Sequence, residues 1–109
     1  MEQKISDVLD RAADKIAPEG AWTQKTYARS TPKGRGVGVY NPKAICWCAL
    51  GAIWASEPSF DAQRRAIEAL RAVAGVRHVP KWNDSKRRTQ DEVVAALREA
   101  ARREREAGR

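Results

Sequence analysis

With 109 residues, 42% of them hydrophobic and 32% charged, the chain has the make-up of one globular domain and not of a disordered tail. Its two cysteines, Cys46 and Cys48, are too close in sequence to build a disulfide framework. The uncharged run from Ala44 to Ala55 spans 12 residues, against the roughly 20 needed to cross a bilayer.

The amino-terminal stretch "MEQKISDVLDRAADKIAP" lacks the basic start and apolar core of a signal peptide, so a cytoplasmic location with reduced thiols is expected. Residues 3–16 predict an amphipathic helix. Ile5, Val8, Leu9, Ala12, Ala13 and Ile16 recur at helical spacing, and Pro18 and Gly20 stop it. Residues 21–42 change character. Thr23, Thr26, Tyr27, Val37, Val39 and Tyr40 favour strands on either side of the turn sequence "TPKGRG", which predicts a β-hairpin with Lys33 and Arg35 at its tip.

Asn41-Pro42 then opens a second predicted helix over Ala44–Ala55, apolar all round and so central, with Trp47, Leu50, Ile53 and Trp54 buried. Gly51 within it implies close approach by a neighbouring backbone. A third helix is expected over 59–74, with Ser59 as cap, an apolar stripe of Phe60, Ala66, Ile67, Leu70, Val73 and Ala74, and Gly75 as the stop. "VRHVPKWNDSKRR" reads as a loop. The last helix begins at Thr89, which forms a capping box with Glu92, and the tail 102–109 is expected to fray. The expected fold is a single mainly α domain over residues 1–109. Four helices cluster with the Ala44–Ala55 helix buried at the centre, and one β-hairpin lies between the first and second helices.

The combination of "AWTQ", "CWCALGAI", "WND" and "RTQDEVVAAL" resembles a family of small bacterial and phage-encoded proteins of unknown function. The resemblance covers residues 5–101 and implies this fold. It implies no activity, cofactor or metal.

The net charge of +7 is unevenly distributed. Residues 23–45 hold five basic side chains and no acid, residues 76–90 hold five against Asp84, and the other segments are neutral or acidic. Both basic segments read as non-helical, and each adjoins aromatics: Trp22, Tyr27 and Tyr40 for the first, Trp82 for the second. Lys33, Arg35, Lys81, Trp82, Lys86, Arg87 and Arg88 are therefore the candidate binding residues, and the expected partner is an acidic protein surface or nucleic acid. The sequence leaves the oligomeric state open.

Cys46 sits where a helix N-terminus would activate a thiol, and the order Cys46, His78, Asn83 or Asp84 parallels a papain-like arrangement, so a thiol-dependent hydrolase is the enzyme alternative. Burial among tryptophans and aliphatics favours inert core thiols. On one helix the two cysteines would point about 200° apart, which disfavours a shared metal. The Trp82-Asn83-Asp84 segment reads first as a side-chain-stabilised turn and second as a recognition loop. The functional expectation is a small non-enzymatic binding protein, associated with phages or mobile elements. One version inhibits a host nucleic-acid-dependent defence system.

Overall fold

A computed structural model describes residues 4–109; the first residues of the predicted amino-terminal helix and domain lie outside them. The fold is mainly helical, with a small antiparallel pair of strands inserted between the first two helices. In chain order the elements are α1 (Ile5–Ile16), β1 (Ala28–Arg29), β2 (Cys46–Trp47), α2 (Ala49–Ser56), α3 (Phe60–Ala74), α4 (Val79–Asn83) and α5 (Gln90–Glu106).

Helix α1 buries the full stripe Ile5, Val8, Leu9, Ala12, Ala13 and Ile16. Its main partner is α5, which contributes Val93, Leu97, Ala100 and Ala101. Ala52 and Ile53 of α2 and Ala66 and Leu70 of α3 complete the core. Each large aliphatic side chain buried there contributes about 1.5–3 kcal/mol before entropy costs. At the surface Arg98 and Arg105 of α5 hold Asp10 of α1 at 3.2 and 2.6 Å, and Arg98 also reaches Asp14 at 2.6 Å.

The caps follow local chemistry. Ser59 Oγ accepts from Ala62 N, and Gly75 ends α3 with φ 69°, a left-handed conformation that glycine adopts without strain. Both halves of the Thr89–Glu92 capping box form at the start of α5.

Several sequence expectations are corrected. The run Ala44–Ala55 is not one helix. Ile45 to Cys48 are extended, because their backbone is bonded on both sides: Thr23 N donates to Trp47 O and Trp47 N to Ala21 O on one edge, and Ile45 N to Arg29 O and Cys48 N to Tyr27 O on the other. The turn at Thr31–Gly34 forms, closed by Gly34 N to Thr31 O and a bridge between Arg29 and Gly36. The regular ladder, however, pairs Ala28–Arg29 with Cys46–Trp47, not with Val37–Tyr40. The predicted 76–88 loop contains the fifth helix, α4. Pro80 lies in its first turn, where a missing N–H costs nothing, and the His78 side chain caps it by accepting from Lys81 N.

Phe60 leaves the predicted stripe altogether: at the first position of α3 it is 87% exposed, while Gln63 is buried instead. Trp47 and Trp54 are only half-buried. At the carboxyl end α5 runs on to Glu106, with Glu104 buried and Arg109 O accepting from both the amide and the hydroxyl of Ser6.

Candidate binding surface

The loops that carry the positive charge are held by one buried side chain, Asn83. A primary amide offers two donors and two acceptor positions, and all four are used here. Oδ1 accepts from Trp22 Nε1 at 2.8 Å and from Ala49 N at 3.0 Å, and Nδ2 donates to Thr23 O and Asp84 Oδ1, both at 3.1 Å. Ala49 N is the first amide of α2, which no intrahelical carbonyl can reach. Cys48 Sγ accepts from Gly51 N at 3.3 Å and so takes a second orphan of the same helix end. The short segments around Trp22, Cys48-Ala49-Leu50-Gly51-Ala52 and Trp82-Asn83-Asp84 are therefore three sides of one joint. Gly51 belongs to it as well, since a Cβ there would overlap the carbonyl oxygen of Tyr27 and sit 3.0 Å from its carbonyl carbon.

From this joint a polar frame extends to both basic segments. Gln24 Nε2 donates to Asn83 O and Ser85 O at 2.9 Å each, and Lys25 N donates to Asp84 Oδ1 at 2.8 Å. The Arg29 guanidinium donates to Gln24 O and Thr23 Oγ1, both at 2.9 Å, and to Gly34 O at the hairpin tip. Lys33 and Arg35 flank Gly34, and Lys86 follows Ser85, so residues of both predicted segments sit on a single hydrogen-bonded frame.

The cations of the two basic segments differ from the arginines of α1, α3 and α5. Every arginine in α1, α3 and α5 has a carboxylate within ion-pair distance. Among the described residues no ion pair is formed by Lys25, Lys33, Arg35, Lys43, Arg77, Lys81, Lys86 or Arg87. All eight are exposed.

The candidates Arg88 and Trp82 behave differently from the other five. Arg88 Nε donates to Trp82 O at 3.0 Å, its guanidinium lies 4.7 Å from the centre of the Trp82 ring, and Nη1 pairs with Glu92 at 3.3 Å. This cation fastens the turn to α5 and covers the indole. Sequence reasoning left Lys25, Lys43 and Arg77 out of the candidate set. Their signal was the missing acids of their segments, which applies to every cation there alike.

Both thiols are buried. Cys46 lies in β2, 1% exposed, with Sγ 4.0 Å from Arg29 O, and not at the helix N-terminus that the sequence suggested. Cys48 occupies that N-cap position. Burial raises its pKa above the ordinary thiol value, which outweighs the hydrogen bonds from Gly51 and Leu50. The His78 ring is engaged as the α4 cap. Among the described residues no three His, Cys, Asp or Glu side chains converge as a metal site, and no helix is long and apolar enough to cross a membrane.

No curated protein and no solved structure matches the chain. Residues 1–103 match a family of unknown function, DUF6197, and the chain belongs to that family.

Proposed function

We propose that this is a small non-enzymatic binding protein that engages a partner through its basic loops, an acidic protein surface in the first place and nucleic acid in the second. The observation that carries this reading is the contrast between the arginines of α1, α3 and α5, matched by carboxylates, and eight exposed cations of the two basic segments that form no ion pair among the described residues. Evenly solvated cations would repel one another on a surface held in one shape, and an anionic partner relieves that repulsion. Buried thiols and a histidine engaged as a helix cap support a non-enzymatic role. A phage or mobile-element accessory acting against a host defence system remains one version of this proposal, and the positive surface speaks against DNA mimicry as its means.

The test is binding of the full chain to labelled polyglutamate and to single-stranded and duplex oligonucleotides, followed by fluorescence anisotropy as salt is raised. Saturable binding that weakens as salt rises is expected, as is a loss of at least about tenfold in the K33E/R35E/K86E/R87E variant. Absence of saturable binding to every polyanion at low salt, or equal binding by the charge-reversed variant, refutes the proposal.

A further inference from the structure

Beside the basic frame lies a line of aromatic side chains that the fold leaves open. Tyr27 and Trp54 meet with ring centroids 4.8 Å apart. Tyr27 lines a pocket of about 260 Å³ together with Lys25, Thr26, Cys48, Pro80 and Asp84. Trp54 lines a second pocket of about 230 Å³, against Phe60, Gln63 and Ile67. The Tyr27–Trp54 contact brings a lining residue of each pocket together, and the pair of neighbouring pockets is termed the cleft. Gln63 also donates to the hydroxyl of Tyr40, so the exposed Tyr40 borders the same face.

One unpaired cation lines the cleft. Lys25 lines the first pocket, and the exposed Lys81 follows the lining residue Pro80 in sequence; neither is in an ion pair among the described residues. Asp84, the acid at that end, already accepts from Lys25 N and Asn83 Nδ2 through Oδ1. At the other end Arg64 and Arg71 are balanced by Asp61 and Glu68. Lys25 is also held at φ 74°, a conformation costly for a lysine and easy for glycine or asparagine. Its backbone N–H donates to Asp84 Oδ1.

We propose that this cleft takes a peptide segment of a protein partner, one that carries an aromatic or large aliphatic anchor flanked by acidic residues. The proposal rests on the reading that the basic loops bind an anionic partner, and it assigns that partner to protein. Two features favour protein over nucleic acid. The tryptophans that could stack on bases within the basic loops are engaged, Trp82 beneath Arg88 and Trp22 through its N–H to Asn83. The free aromatic surface forms pockets that suit a single side chain, with an acidic flank matched by Lys25 at the first pocket.

The test is selection of a displayed random peptide library of about 12 residues per peptide on the immobilised full chain, then anisotropy with the synthesised peptides. Recovered peptides are expected to be acidic and to carry Phe, Trp, Leu or Ile. Phe60→Ser should weaken them about tenfold, the effect of losing one buried aromatic contact. Lys25→Asn, which suits the left-handed backbone, should weaken them about threefold without loss of thermal stability. Acidic peptides with no apolar anchor, or peptides indifferent to Phe60→Ser, overturn the cleft while leaving the basic-surface reading intact. Recovery of no peptide alongside tight oligonucleotide binding overturns it in favour of nucleic acid. Failure of peptides and of all polyanions overturns both.

Discussion

Replacing Asn83 by alanine isolates the joint on which the loop surface depends. The residue is fully buried, so water cannot take over its bonds without opening the packing. Asn83→Ala strips the acceptor from Trp22 Nε1 and Ala49 N and the donor from Thr23 O. A buried polar group left unanswered costs about 1–3 kcal/mol, and partial relaxation recovers some of that, which puts the loss at about 3–5 kcal/mol. Against a total of about 5–15 kcal/mol for a domain this is roughly a fifth or more. Urea unfolding followed by tryptophan fluorescence, with linear extrapolation to water, measures it directly. Trp22→Phe keeps the ring and removes one donor, for an expected loss of about 1–2 kcal/mol. Because both variants break the same 2.8 Å bond, the double variant should be less destabilised than the sum by about 1 kcal/mol. A loss below about 1 kcal/mol in Asn83→Ala, or strict additivity with Trp22→Phe, would show that the amide is not the joint described.

Two further outcomes follow from the same structure. Gly51→Ala gains about 1 kcal/mol of helix propensity, yet its methyl group would overlap Tyr27 O. A net loss of about 1–2 kcal/mol in thermal unfolding is expected, and a variant as stable as the parent contradicts the close approach. Acid should loosen the α1–α5 contact. Burial pushes the Asp10 carboxyl up, but hydrogen bonds and charge from Arg105 and Arg98 outweigh it and hold the group below its ordinary value. On α5, Arg102 and Arg103 hold Glu99 down to about 2. A carboxylate with a lowered folded-state pKa contributes stability above its unfolded value and loses it as pH falls through the folded one. The melting temperature should therefore drop from about pH 4 toward pH 2, and less steeply in Asp10→Asn. Parallel curves for the parent and Asp10→Asn would remove Asp10 from the account.

The helices that the sequence predicts best are those whose periodicity and caps agree. In α1 and α5 the apolar spacing, the Thr89–Glu92 box and the stop at Pro18 all specify the same element. Ile45 to Cys48 defeated that method because an apolar run without period fits either helix or strand. What decides it is hydrogen bonding to Ala21–Thr23 on one edge and Tyr27–Arg29 on the other, partners distant in sequence. The 76–88 segment reads as a loop because a proline such as Pro80 suits a loop and the first turn of a helix alike, and the His78 cap decides for the helix. Asn83 looked like a turn residue. Its turn is real, but the burial that makes it a joint comes from Trp22 and the end of α2. The positive charge of the loops was legible as arithmetic, whereas the difference between a paired and an unpaired arginine depends on where the helices place their acids. Phe60 fits the helical stripe by spacing, but at the first turn of α3 it overshoots the core and becomes part of the open cleft.

The joint at Asn83 also bears on how the chain reaches its fold. Its bonds connect positions 61, 60 and 34 residues apart. Helix α3 and its caps need only neighbours, but this amide finds its partners only after long stretches of chain have been drawn together. The expectation is that the joint closes after the transition state; substitutions at Asn83 should then act mainly on the rate of unfolding and leave the rate of folding nearly unchanged, as stopped-flow kinetics would show. The basic loops would then owe their lifetime in one shape to a contact that forms late.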